Sequence, residues 1–266
     1  MPVKKRCDVQ IWRASPGDVD HAQWRALTNS LGLSERSNAF KFKFEADRKA
    51  YVLAHGLRRL ALAAMLDVQP DALVFRDNED GQPQLIKPHH RRIYFSHSHT
   101  REGVLFAASS DAAVGVDAES VTVEPVDFTL LGPFLVLPEL GAAEEASFYD
   151  YWTALEAFWK AAGTGLSTDH PRLRLSAHPL GHWEVAFDVP QGSELPVLPT
   201  HGVIFPVTSP PNCVASLAII RPSSNGTVAF VIHEKEMKKD TDLIRRFFMA
   251  GSAATNASRS PKHSVN

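Results

Sequence analysis

Apolar side chains recur every three or four residues from about Glu45 to Leu66, where Tyr51, Ala54, Leu57, Leu60, Ala61, Ala64 and Met65 form one wide stripe. That period predicts an amphipathic helix. Arg48, Val52, His55 and Arg59 lie along a second stripe, so Arg48 and Arg59 are expected to share a helix face. The turn-forming run Asp77-Asn78-Glu79-Asp80-Gly81-Gln82-Pro83 follows. The pattern then becomes strand-like over Arg92 to Ser98 and Gly103 to Ala108, joined by Thr100-Arg101-Glu102, and again over Val114 to Glu119. Prolines punctuate Val121 to Leu140, which carries no period that assigns it an element.

A second helix is predicted over Ala143 to Ala162, rich in Phe148, Tyr151, Trp152, Phe158 and Trp159. Strand-like runs follow at His182 to Val189, Val203 to Val207 and Cys213 to Ile220. Thr227 to His233 reads as a further strand and Asp240 to Met249 as a short amphipathic helix; Gly251 to Asn266, rich in Ser, Ala and Asn, reads as disordered. A helix with antiparallel strands thus appears twice. The expected organisation is an N-terminal lobe (1–110), a C-terminal lobe (111–220) and an extension (221–266).

Composition narrows the class. With 266 residues the chain is long enough for a sizeable core. Lys+Arg 28 against Asp+Glu 30 leaves a net charge of -2, so no global field recruits nucleic acid or a membrane. Positive charge is local instead, with Arg36, Lys41, Lys43, Arg48, Arg58 and Arg59 in the first quarter. The two cysteines, Cys7 and Cys213, stand apart, which excludes a disulfide framework and fits a reducing, cytoplasmic location. The N-terminus has no apolar h-region, and no apolar run reaches membrane-spanning length.

Candidate chemistry sits in four places. In Gly115-Val116-Asp117-Ala118-Glu119, strand alternation puts Asp117 and Glu119 on one face and Val116 and Ala118 on the other. Two carboxylates on one side repel by about several kcal/mol at low effective dielectric, so a buried pair implies a compensating cation. In the second helix, Glu156 and Lys160 lie one turn apart among Trp152 and Trp159, and Gly163 and Gly165 fit a left-handed helix end. Three carboxylates with a lysine suit Mg²⁺ holding phosphates, because hard cations choose oxygen ligands. Phe95-Ser96-His97-Ser98-His99 is open to two readings: His97 and Ser96 as phosphate contacts, or His97 and His99, with His89 or His90, as a zinc pair. Arg36, Lys43 and Arg48 form a basic cluster at a helix start, where an anionic ligand would offset their unfavourable effect on the macrodipole.

Taken in order, Ala46-Asp47-Arg48, Gly81-Gln82-Pro83, Phe95-Ser96-His97-Ser98, Gly115-Val116-Asp117-Ala118-Glu119 and Tyr151-Trp152-Thr153 through Glu156, Lys160 and Gly163-Thr164-Gly165-Leu166 resemble the 4′-phosphopantetheinyl transferase superfamily, in its two-lobed, Sfp-type branch. The resemblance spans roughly residues 36 to 166. It implies an α+β fold of two similar α/β lobes, each a helix on a small antiparallel sheet, related by a pseudo-twofold axis with the active site between them. It also implies transfer of 4′-phosphopantetheine from coenzyme A to a serine of an apo acyl or peptidyl carrier protein, releasing adenosine 3′,5′-bisphosphate. By position, Asp117, Glu119 and Glu156 would hold Mg²⁺, with Mn²⁺ as the substitute. Lys160 and His97 would contact the phosphate left on the nucleotide, and Arg36, Arg48 and Ser96 would grip the 3′-phosphate and its neighbourhood. Glu156 would take the serine proton.

Two positions depart from the family pattern, where lysines often stand: Leu155 removes a charge outside the metal triad and leaves the chemistry intact, while Gln82 removes a candidate phosphate contact, so coenzyme A affinity would be lower or supplied by Lys87, Arg91 or Arg92. The expected partners are a carrier protein and coenzyme A, met by a monomer. The rival readings are a zinc hydrolase using His97, His99 and Asp117, and a degenerate relative that binds coenzyme A or a carrier without turnover.

Overall fold

The computed structural model describes residues 5–88, 92–136, 147–188, 201–220 and 228–237. In chain order it contains β1 (Lys5–Ala14), α1 (His21–Ser30), α2 (Leu33–Ala39), α3 (Glu45–Leu66), β2 (Val74–Asp77), β3 (Pro83–Lys87), β4 (Tyr94–His99), β5 (Val104–Ser109) and β6 (Ala113–Ser120). Then come α4 (Phe148–Ala162), β7 (Arg172–Ala177), β8 (Trp183–Asp188), β9 (Gly202–Pro206), β10 (Cys213–Ile220) and β11 (Val228–Glu236). One sheet has the order β11-β1-β5-β4 and a second the order β6-β10-β9-β8-β7, while β2 and β3 pair as a hairpin. The fold is α+β, and each sheet carries one long helix.

Strand alternation sets the layering. β5 is buried throughout. Val104, Phe106 and Ala108 join Trp12, Leu53, Leu57 and Leu60 in a core between the first sheet and α3. Leu105 and Ala107 project the other way, against Val114, Val116, Leu217 and Ile219 of the second sheet. The far face of that sheet buries Ile204 and Ala218 against Leu155 and Phe158 of α4. The layers therefore run helix, sheet, sheet, helix, which is why the strands shared by two cores read as near-continuous apolar runs.

Local chemistry fixes the helices. α3 has Glu45 and Asp47 in its first turn, favourable to the macrodipole, and ends at Asp67 in the left-handed region (φ 58°). α4 starts at a Ser147/Asp150 capping box and stops at Gly163, φ 87°, where a residue without Cβ is favoured. The stretch Val121 to Leu140 contributes one short 3₁₀ turn (Phe128–Leu131), and Leu135 bridges Leu173.

The largest departure from the expected organisation lies past residue 220. β11 pairs in parallel with β1, Cys7 opposite Phe230, and so completes the first sheet instead of trailing behind both lobes. Val228, Phe230 and Ile232 pack on the inter-sheet core, which supplies the driving force. The helix expected over Asp240 to Met249, the disorder expected over Gly251 to Asn266, and Ala143 at the expected start of the second helix lie outside the described residues.

Candidate active site

The two lobes meet where edge strands β4 and β6 run side by side. The Ser96 hydroxyl accepts from the Val116 N–H at 3.2 Å, and the Ser98 hydroxyl donates to Asp117 Oδ1 at 3.0 Å. From the other side Lys160 of α4 donates to the same oxygen at 2.6 Å. The alternation expected for β6 holds: Val116 and Ala118 enter the inter-sheet core, while Gly115 and Asp117 face α4. Gly115 is what permits this approach. A Cβ there would sit 2.0 Å from the Ala157 carbonyl oxygen and 2.5 Å from the Ala161 nitrogen. Thr153 and Ser216 join α4 to β10 through their hydroxyls at 2.9 Å, which fixes the helix lengthwise.

The electrostatics single out the carboxylates. Burial pushes Glu119 above its ordinary value and the Asp117 charge adds to it, against a Trp152 contact and the Lys160 charge. Burial likewise raises Glu156, Lys160 opposes, and Asp117 adds. Asp117 is nearly sealed, its side chain 3% exposed, and its Oδ2 is buried without a hydrogen-bond partner among the described residues. An orphaned carboxylate oxygen beside two more carboxylates, with one lysine opposite, is a donor set that suits a hard divalent cation. Among the described residues no three Asp, Glu, His or Cys side chains already stand in the geometry of a metal site.

His97 turns towards α3. Its ring meets that of His55 edge-on at 5.8 Å and lies 6.4 Å from that of His99. Burial lowers its affinity for a proton, and Arg58, His55, His99 and Lys160 lower it further, so the imidazole is neutral at neutral pH. His97 and His99 are stacked side by side rather than converging, which does not favour the zinc trio.

A cleft of about 550 Å³ opens beside Lys160, lined among others by Gln82, Pro83, Arg92, Tyr94 and Gly163. Its side-chain chemistry was only partly anticipated by sequence: Arg92 lies over the Tyr94 ring at 4.7 Å, while Arg91 is outside the described residues. Asn78 ties the β2–β3 hairpin to the end of α4 by donating to the Gly163 carbonyl at 3.2 Å.

Arg36 and Arg48 do not share this cleft. They line a separate one of about 420 Å³ with Trp24, Phe40, Lys49 and Val52. Arg36 donates to the Leu31 and Asn29 carbonyls at 3.0 and 2.6 Å, closing the end of α1, and Arg48 pairs with Glu45 at 3.4 Å. Ser96, grouped with them from sequence, sits on the β4–β6 seam. Arg48 and Arg59 also part company, since Arg59 is buried against Glu35 while Arg48 is only partly buried and pairs with Glu45. Sequence reasoning assigned no role to Ser98 or Glu35. The repeated Ser-His-Ser-His period of β4 was the available signal for the first, and a lone carboxylate ahead of three basic helix positions for the second.

Comparison with known proteins agrees with this geometry. A family model described as 4′-phosphopantetheinyl transferase, N-terminal, matches residues 12–111. The 4′-phosphopantetheinyl transferase HetI of Nostoc is 26% identical over 221 residues, 80% of this chain and 87% of that protein. Similarity to the 4′-phosphopantetheinyl transferase superfamily therefore extends over most of the chain. Within it, psf-1 of Bacillus pumilus is 27% identical over 54% of this chain and 63% of its own, and the mouse L-aminoadipate-semialdehyde dehydrogenase-phosphopantetheinyl transferase 25% identical over 67% and 65%. The match thus spans less than two thirds of the length of several relatives, although it covers most of HetI. These relatives are transferases, and the α+β fold found here is consistent with two α/β lobes. No helix among the described residues is long and apolar enough to cross a membrane.

Proposed function

We propose that the chain transfers the 4′-phosphopantetheine moiety of coenzyme A to a serine hydroxyl of an apo acyl or peptidyl carrier protein, releasing adenosine 3′,5′-bisphosphate. The observation that carries this reading is the Lys160–Asp117–Ser98 contact at the lobe junction, with Asp117 Oδ2 buried and unpartnered among the described residues and its charge felt by Glu119 and Glu156. Coenzyme A is the co-substrate, and the 550 Å³ cleft beside Lys160 falls within the usual size of a small-molecule site.

Asp117, Glu119 and Glu156 would hold Mg²⁺, or Mn²⁺, which when bound neutralises the pyrophosphate and orients it for displacement. The residues divide the rest of the work. Glu156, raised by burial, is suited to accept the serine proton as the oxygen attacks phosphorus. The bond to the nucleotide phosphate breaks, and Lys160 meets the charge that develops there. His97, neutral, donates an N–H to the same phosphate, and Arg92 at the cleft rim offers a cation where Gln82 has none. One chain supplies every group named, so a monomer suffices.

Leu155 bears on the degenerate alternative. It is fully buried in the core under α4, so a lysine is missing from the protein's interior rather than from the site. The experiment is incubation with a panel of apo carrier proteins, coenzyme A and Mg²⁺, followed by intact-protein mass spectrometry. A gain equal to phosphopantetheine is expected on at least one carrier; no gain on any, with a folded enzyme, overturns the proposal.

A further inference from the structure

Behind His97 lies a buried polar cluster that the proposed chemistry leaves unused. Glu35 of α2 and Arg58 and Arg59 of α3 are all buried. Glu35 Oε1 accepts from Arg58 Nη2 at 2.6 Å, and the same Nη2 lies 3.0 Å from His55 Nδ1, closer than the 3.4 Å from that nitrogen to Glu35 Oε1. Its other oxygen accepts from Arg59 Nε and from the Gly32 N–H at 2.8 Å. Arg59 continues to the Pro70 and Leu73 carbonyls at 2.8 and 3.0 Å, and the Arg58 guanidinium lies 4.3 Å from the centre of the Phe75 ring. One carboxylate thus serves two guanidiniums. Burying such a set costs desolvation that pairing barely repays, so stability alone explains it poorly.

His55 leads out of the cluster towards the site. Its ring stacks on Tyr51, with centroids 3.9 Å apart, and meets His97 edge-on at 5.8 Å and 65°. His97 sits on an edge strand, where its ring has several staggered orientations open to it, and a fixed aromatic neighbour selects one. A neutral imidazole binds phosphate through the direction of a single N–H, which makes orientation matter more than charge.

We propose that Glu35 and His55 are positioning residues: Glu35 holds the Arg58 guanidinium that meets His55 Nδ1, the His55 ring sets the plane of His97, and coenzyme A binding depends on a carboxylate that never touches the ligand. This rests on the reading of His97 as a phosphate contact. Tyr51 backs His55 from the opposite face, and Phe42 extends the ring series at 5.2 Å from Tyr51, so the histidine is held from two sides.

The test combines calorimetric titration of coenzyme A with histidine side-chain NMR of the unliganded proteins. His55→Leu should weaken coenzyme A binding by about 5- to 10-fold and shift the His97 ring signals, while His55→Phe, which keeps a ring in place, should stay within about 2-fold of wild type. In turnover, His55→Leu should raise KM for coenzyme A more than it lowers kcat and leave KM for the carrier unchanged. Glu35→Gln, with its fold checked by circular dichroism, should move the same His97 signals. Wild-type affinity in His55→Leu, or unmoved His97 signals, overturns the inference. If wild type binds no coenzyme A while His97 signals still respond to His55→Leu, the transferase reading fails and the His55–His97 coupling stands by itself.

Discussion

Lys160 Nζ lies 2.6 Å from Asp117 Oδ1, joining two residues 43 positions apart and tying α4 to β6 at the lobe junction. Lys160 keeps 27% of its side chain exposed and Asp117 only 3%, so the lysine can rehydrate and the carboxylate cannot. Asp117→Asn keeps the shape and removes the charge. It should cut carrier modification by at least about 100-fold, because a charge acting on the transition state is lost. Its melting temperature should stay within about 4 °C of wild type, since Glu119 and Glu156 are relieved of a repelling neighbour. Mg²⁺ should raise the melting temperature of wild type, as a ligand of the native state must, and leave that of the variant unmoved. Differential scanning fluorimetry with and without EDTA reads both, and an equal Mg²⁺ response in the two proteins would remove Asp117 from the metal set.

Gly115 is a spacing residue. Gly115→Ala puts a methyl group 2.0 Å from the Ala157 carbonyl oxygen, and the contact is backbone on backbone, so no side chain can turn away. We expect a loss of roughly 1–3 kcal/mol in denaturant unfolding, typical of overpacking, together with a fall in kcat as Asp117 moves off Lys160 and Glu156. Unchanged stability would mean that the helix and strand have more slack than their contacts indicate.

Glu35 gives a pH signature. Burial pushes its carboxyl up, but His55, the Gly32 N–H, Arg58 and Arg59 outweigh that and hold it far below the usual carboxylate range. With the folded value depressed, the stabilisation is complete above the unfolded value of about 4.3 and is lost as pH falls towards the folded one. Glu35→Gln should therefore melt well below wild type at pH 7, by roughly 3–5 kcal/mol for a broken buried pair, and the gap should close as the pH drops below about 4. A gap that widens in acid contradicts the assignment.

Leu155→Lys separates the core from the site. A lysine there would be enclosed by Phe158, Leu173 and Ile204. Loss of cooperative unfolding is expected, without the gain in coenzyme A affinity that a phosphate contact would bring. A folded variant that binds coenzyme A more tightly would return position 155 to the site.

How far the sequence spoke depends on the kind of signal. α3 lies where its stripe put it because the stripe is long and the buried face unbroken; even Gly56 has a packing reason, its bare Cα lying against Leu27. β5 and β6 were legible as apolar runs, and the Asp117/Glu119 alternation follows from the strand period alone. β1 was not read, although Cys7, Val9 and Ile11 alternate with polar residues, because the basic N-terminus draws the eye to charge. α1 and α2 are short and largely polar, with few buried positions, and so carry little period. Arg36, Arg48 and Ser96, grouped from sequence, do not line one cleft, for a different reason. Helix spacing tells which residues share a face, but not that nearby groups, the Leu31 and Asn29 carbonyls for Arg36 and the Glu45 carboxylate for Arg48, occupy the guanidiniums.

The pairing of β11 with β1 has a consequence for biogenesis. A nascent polypeptide leaves the ribosome with its first strand long before residue 228 exists, so the opening sheet waits with an unsatisfied edge through most of synthesis. Emergence of residues 228 to 236, rather than of the first hundred residues, is then the moment at which the first sheet can close.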